Sequence, residues 1–390
     1  MAEKRNYEVD YDMNSPQLAE EWDEVIADLH QRCPMARSEV GEGYWVALKQ
    51  EDIKAATQDW ETFSSATGFM PDRPAEMPWL WPVESDPPVH THLRSALNQY
   101  LSPGVVRTYK NAVHQHGLDL LAEFEGEEVV DVVARFGNAL PGRSFCVTVA
   151  GMGTDDIVYL QKKFEVGILG PLEKRAQAMQ DANQRLDEYL RRREGEPPRG
   201  DIIDALLALD FEGCGWEQKV NTLTTLTLGG IGTTGYVIAA SLHWLAENPE
   251  QRKRLVSEPD LMPTAVEEFL RFFAASPHDG RRATCPVTMG GVDLEAGDYV
   301  IMNYGAASRD PEVFERPDEV DITRALPNRH MSFGYGIHRC IGSHLARLEV
   351  NEALSTFLAR YPDFRTTDGF VPSYQINNTV MMESLPLVLS

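Results

Sequence analysis

The sequence predicts a mainly helical protein with a small β region, and three stretches carry that expectation. Trp216 to Glu247 keeps a helical pattern, apolar or small on nearly every side with few charges after Lys219, as a buried central helix requires. Residues 105–195 are largely helical in period, with breaks expected at Pro141, at Gly151-Met152-Gly153 and from Gly167 to Pro171. Val287 to Asn303, with turns at Gly290-Gly291 and Ala296-Gly297, reads as strand-turn-strand.

Composition sets the frame. The 390 residues show no internal repeat and no low-complexity linker, so a single domain over 1–390 is expected. The chain is 43% hydrophobic and 25% charged, the balance of an ordinary soluble globular protein. A net charge of −24 argues against nucleic acid and anionic membrane surfaces as partners. Met1 to Met13 is polar and resembles neither a signal peptide nor an anchor. No unbroken apolar run approaches the ~20 residues of a membrane span, and a cytoplasmic location is expected. The five cysteines (Cys33, Cys146, Cys214, Cys285, Cys340) are scattered and lack CxxC spacing. A disulfide framework and a zinc site are therefore both poor readings.

Taken in order, residues 15–34 contain a helical stretch ending near Cys33-Pro34, Gly43 to Lys49 reads as a strand, and Glu51 to Gln58 as a short helix. Thr67 to Val83 is irregular. It carries Phe69, Met70, Met77, Trp79, Leu80 and Trp81 among Pro71, Pro74, Pro78 and Pro82, a proline density that blocks helix and sheet. Such a loop needs an apolar surface to cover, either a satellite cluster beneath it or a ligand pocket. Asp86-Pro87-Pro88 suits a helix start and places His90 and Arg94 on one helical face; alone, such a pair is usually a solvated face. Val166 to Leu172 is apolar, Arg191 to Gly200 is a charged surface loop, and Asp201 to Leu209 begins another helix.

The middle of the central helix reads Gly229-Gly230-Ile231-Gly232-Thr233-Thr234. Glycines cost about 1 kcal/mol each in a helix interior, and threonine hydroxyls compete for backbone carbonyls. A bend is expected, or else a small-residue patch where another helix crosses. Ala265 to Phe273 is helical and sets Glu268 and Arg271 at i, i+3, a pair worth about 0.2–0.5 kcal/mol on a surface. Asn378 to Met382 is a turn, and Leu385 to Leu389 fits a terminal strand.

Phe333 to Gly342 reads Phe-Gly-Tyr-Gly-Ile-His-Arg-Cys-Ile-Gly, and an amphipathic helix, Ser343 to Leu358, follows. Cys340 thus precedes a helix N-terminus, whose partial positive charge lowers a thiol pKa. Gly334, Gly336 and Gly342 would let a flat group lie close to the backbone. An inert cysteine in a capping loop is the plain alternative. The full spacing Phe333-Gly334-x-Gly336-x-His338-x-Cys340-x-Gly342 resembles the haem-binding loop of the cytochrome P450 family, the haem-thiolate monooxygenases. The resemblance extends over nearly the whole chain.

The resemblance implies the P450 fold, with haem b buried between the long central helix and the helix after the cysteine. It makes Cys340 the axial iron ligand, whose electron density favours O–O cleavage. It assigns His90, Arg94, His338 and Arg281 (Arg282 being the alternative) to the haem propionates, and His330 is a further candidate for the haem edge. Glu268 and Arg271 become a buried brace. Thr233 aligns with the threonine that positions water and protons for dioxygen, but Gly232 stands where the family has an acid. Either another acid, such as Asp279, supplies protons, or the chemistry is atypical: peroxide-driven oxidation, desaturation or coupling. Candidate substrate-pocket residues are Trp79, Leu80, Trp81, Leu226, Gly230, His278 and Val380, with a lid near Val166 to Leu172. The implied activity is insertion of one oxygen atom from O2 into an apolar small molecule, by hydroxylation or demethylation. A ferredoxin or flavodoxin would deliver electrons, docking where Arg339 and Arg347 offer positive charge. A haem sensor without turnover is the lesser alternative.

Overall fold

The computed structural model describes residues 5–389. Its β region is built mostly from the two ends of the sequence. One sheet runs, edge to edge, Met35–Ser38, Tyr44–Ala47, Tyr299–Asn303, His278–Ala283 and Phe63–Ser64. Tyr44–Ala47 pairs in parallel with Tyr299–Asn303, and the other pairings are antiparallel. Every residue of Tyr299–Asn303 is buried, as befits a strand covered on both faces. Smaller sheets join Val129–Asp131, Pro386–Leu389 and Phe364–Thr366, and pair Tyr374–Ile376 with Val380–Met382.

The rest is helical. Trp216–Ile231 and Thr233–Glu247 are two halves of one central element, divided at Gly232, whose φ of −113° and ψ of −60° depart from ideal helix. The bend expected from the glycines and threonines is present. It falls between two apolar cores. Leu223, Leu226 and Ile231 join one cluster with Leu93, Phe145, Met179 and Leu345. Val237 to Ala246 join another with Phe136, Phe269, Leu354 and Phe357. Ser343–Arg360 bridges the same two cores, through Leu345 in one and Leu354 in the other. Trp216–Glu247 is long and apolar enough to cross a membrane by length and composition, but 61% of its apolar window is buried inside the protein. It is the core helix the pattern predicted.

Pro141 does not break its helix, contrary to expectation. It lies in the short α-turn Ala139–Gly142, flanked by wide π turns over Val133–Gly137 and Arg143–Val149. The wider turns accommodate the ring and the missing N–H. Gly170 and Pro171 do separate two helices, Ile157–Leu169 and Leu172–Glu194.

Candidate active site

Backbone geometry shapes the Cys340 loop. Gly334 and Gly336 hold φ of +64° and +69°, where side chains are strained. A Cβ on Gly336 would lie 1.9 Å from the Thr57 carbonyl oxygen, so the loop is pinned against that neighbouring segment. The Cys340 N–H donates to the Phe333 carbonyl at 2.8 Å. The Phe333 ring is capped by the Arg347 guanidinium, 4.5 Å from its centroid. Gly342 then N-caps the helix that begins at Ser343. Cys340 has accessible surface, yet burial by surrounding protein raises its thiol pKa, outweighing the Gly342 N–H and the charges of Arg94, Arg339 and Arg347. The expected lowering of the free thiol pKa is therefore overturned: desolvation beats the helix terminus. Such a thiol ionises when it ligates a metal.

The four residues assigned to propionates come together beside this loop. The His90 and His338 rings lie 4.4 Å apart, centroid to centroid. Arg94 donates to the Arg339 carbonyl at 2.8 Å, and the charge of Arg94 is felt at both histidines. Arg281 is buried and pairs with Asp279 at 3.0 Å. Burial, then Arg94, lowers the His90 pKa to about 4. Burial together with Arg281, His90 and Arg94 pushes His338 well below its usual range. His90 Nε2, His338 Nε2 and Arg281 Nη2 are buried without partners. Unpartnered buried nitrogens in a field this positive call for anions, which would also restore the protons of the histidines, and the two carboxylates of a haem fit them. Arg282 instead donates to the Gly297 carbonyl and lies over Tyr299, so Arg281 is the arginine that joins this group.

Gly229 and Gly232 are exposed and Thr233 half-buried, in an otherwise buried helix. A Cβ on Gly229 would meet nothing within 4 Å, and one on Gly232 only the Leu228 carbonyl at 3.6 Å. The bend therefore borders open space, and an acid at 232 would fit sterically. The Thr233 hydroxyl donates to the Gly229 carbonyl at 3.3 Å. Gly230 is a correction: its Cβ would sit 2.5 Å from the Phe145 ring, so it serves close packing and not a pocket wall.

The Glu268–Arg271 pair is fully buried, with two contacts of 2.8 Å. Arg271 also donates to the carbonyls of Ser308, Pro317 and Glu319, which fixes the segment leading to the cysteine loop. Arg324, which sequence reasoning missed, binds both Glu268 oxygens at 3.0 and 2.9 Å. No helical spacing links 268 with 324, so only the fold reveals the triad.

Of the pocket candidates, Leu80, Trp81 and Leu226 share one apolar cluster with Phe69. Others are corrected. Trp79 is 40% exposed, its ring beneath the Arg73 guanidinium at 4.1 Å. His278 is buried, with Nε2 bonded to the Tyr11 hydroxyl at 2.7 Å and Nδ1 to the Asn377 carbonyl at 2.5 Å, so it has no polar atom to offer a substrate. Val380 is half-buried and packs against the cluster around Tyr11 and Ile26. His330 is bonded to Glu267, not left for a haem edge. Arg347 is also held by Glu267, at 2.5 and 3.0 Å, which leaves exposed Arg339 as the available charge.

Known proteins bear on this geometry directly. The family model described as "Cytochrome P450" matches residues 154–389. The chain is 32% identical over 377 residues to nocardicin C N-oxygenase of Nocardia uniformis subsp. tsuyamanensis, covering 91% of this chain and 92% of that one. It is 29% identical over 373 residues to 6-deoxyerythronolide B hydroxylase of Saccharopolyspora erythraea, covering 90% and 91%. Among solved structures, a P450 from Bacillus megaterium in complex with testosterone superposes with a TM-score of 0.85 at 26% identity, covering 96% and 100%. The chain belongs to the cytochrome P450 family and is a P450 monooxygenase. Its cofactor is haem b with an axial cysteine thiolate, the position Cys340 fills.

Proposed function

We propose that this monooxygenase inserts one oxygen atom from O2 into a C–H bond of a largely apolar small molecule, by hydroxylation or by demethylation. The observation that supports the reading is the gathering of His90, Arg94, Arg281 and His338 beside the Cys340 loop, with His90 Nε2, His338 Nε2 and Arg281 Nη2 left unpartnered. Bound haem supplies the electron storage and the dioxygen chemistry. The chain supplies the rest. His90, Arg94, Arg281 and His338 hold the propionates. Leu80, Trp81 and Leu226, with Phe69, exclude water and orient the substrate, and a proton is held at Thr233 Oγ1. A hydroxylase among the relatives supports oxidation at carbon, and testosterone bound to a structural neighbour supports an apolar substrate. An acidic ferredoxin or flavodoxin docks near exposed Arg339 and delivers electrons in the cytoplasm.

Screening apolar compounds for a haem spin-state shift, then measuring oxidised product with O2 and reduced ferredoxin, tests this reading. Shifting compounds that are never oxidised would overturn it. Gly232 motivates a second reading, oxidation driven by peroxide; product formed with peroxide alone and none with O2 and donor would favour it.

A further inference from the structure

Asn378 lies in the turn between Tyr374–Ile376 and Val380–Met382 and is 1% exposed. The turn is fixed from several sides. The Asn378 carbonyl accepts from Ser276 Oγ at 3.1 Å, the Val380 N–H donates to the Ala275 carbonyl at 2.9 Å, and Asn377 Nδ2 donates to Asn14 Oδ1 at 2.7 Å. The Asn378 side chain is fixed too. Its Nδ2 donates to the carbonyls of Phe69 and His278, each at 3.1 Å. Turning the amide over would set its oxygen against those two carbonyl oxygens, so only one orientation pairs. In that orientation Oδ1 is buried and has no partner among the described residues. A buried amide oxygen in this state calls for a donor. The polar side chains around it are already committed: Ser276 to the Asn378 carbonyl, and His278 to Tyr11 and the Asn377 carbonyl. Phe69 belongs to the apolar group of Leu80, Trp81 and Leu226, and its carbonyl also accepts from the Gly280 N–H, next to Arg281. The Asn378 amide therefore sits where the loop assigned to substrate meets the strand that carries a haem-binding arginine.

We propose that Asn378 is a substrate-binding residue whose Oδ1 accepts a hydrogen bond from a hydroxyl or amide N–H on an otherwise apolar substrate. This rests on the monooxygenase reading above and narrows its substrate class to molecules with one such donor. A neutral donor suits the site, because an ammonium would be buried beside an amide oxygen with no countercharge. The donor anchors one end of the molecule at the turn, and the apolar remainder lies against Phe69, Leu80 and Trp81. Because the turn is held from several sides, that bond orients the substrate and selects which carbon is oxidised.

Alcohol and ketone pairs of one skeleton test this: testosterone with androstenedione, menthol with menthone, and β-ionol with β-ionone. Within each pair only the alcohol can donate to Oδ1, while the ketone sets an oxygen against it. In the full-length wild-type holoenzyme, titration of the haem spin-state shift should show the alcohol bound about ten-fold more tightly than its ketone in at least one pair, the worth of one neutral hydrogen bond. Asn378→Leu has no acceptor, so it should bring the alcohol down to the affinity of its ketone, leave the ketone within about two-fold, and broaden the set of positions oxidised. The reduced CO spectrum checks that the variant is folded. If Asn378→Leu does not take up haem, Asn378→Ser, with a smaller side chain that does not reach the site, carries the same expectation. Ketones bound as tightly as alcohols in every pair, no shift with any alcohol, or a preference that survives in the variant would each overturn the proposal. Alcohols bound in the expected pattern but never oxidised with O2 and reduced ferredoxin would support the Asn378 contact and remove the oxidation reading instead.

Discussion

Arg281 Nη1 lies 3.0 Å from Asp279 Oδ2, two residues back on the same strand, while Arg281 Nη2 and Asp279 Oδ1 are buried without partners. One half of the guanidinium is thus held in place and the other half is left for a ligand. The arginine does two jobs, so its removal exposes both. Arg281→Met strands the Asp279 carboxylate and should destabilise the protein by about 3–5 kcal/mol while lowering haem content. Asp279→Asn should keep haem content at the wild-type level, because the guanidinium remains. Haem-to-protein ratio and the unfolding midpoint in denaturant distinguish the two; equal haem loss in both variants would contradict the division of labour.

Glu268 accepts from two arginines with no accessible surface of its own. Arg324→Met leaves Arg271 as its only cationic partner, whereas Glu268→Gln leaves two buried guanidiniums facing each other. Both should cost on the order of 3–5 kcal/mol, with Glu268→Gln the more severe. The loss should appear as poor haem retention, because Arg271 fixes the carbonyls of Ser308, Pro317 and Glu319 ahead of the cysteine loop. A variant that loses stability and keeps its haem would confine the triad to general packing.

The parts of this site legible in the sequence are those that local chemistry determines. The cysteine loop announces itself because Gly336 must adopt positive φ against Thr57, and the central helix because an element buried on all sides must be apolar all round. The side chains read wrongly were decided by tertiary partners that no local spacing reveals. Trp79 is drawn outward by Arg73, and His278 is consumed by Tyr11 and by the Asn377 carbonyl.

His278 makes stability depend on pH. Burial lowers its pKa to about 4, and the hydrogen bond to the Asn377 carbonyl only partly offsets this. The native state therefore binds fewer protons than the unfolded chain between the unfolded value near 6.5 and 4. Stability is intact above that window and is lost as pH falls through it, by roughly 3 kcal/mol in all at about 1.4 kcal/mol per unit. Denaturant midpoints of the haem-free protein from pH 7 to pH 4 should fall at least this steeply, because His90 and His338 are lowered as well, and His278→Gln should remove its share of the slope from a lower starting stability. A wild-type profile level across the window would refute the assignment.

Cys340 and Thr233 face different tests because they do different things. Cys340→Ser replaces the thiolate with an oxygen ligand, so the haem-thiolate signature of the reduced CO spectrum should vanish even where haem is retained. A normal spectrum would end the ligand assignment. Thr233→Ala removes a hydroxyl at the border of open space, where its one protein partner is the Gly229 carbonyl. The fold should hardly notice: substitutions of this kind away from packed contacts stay within about 0.5 kcal/mol. The reaction should, with reductant consumption continuing while product per reductant falls several-fold, in the lower range of what a positioned proton donor contributes. If Thr233→Ala couples as well as wild type, the proton held at the bend belongs to another group.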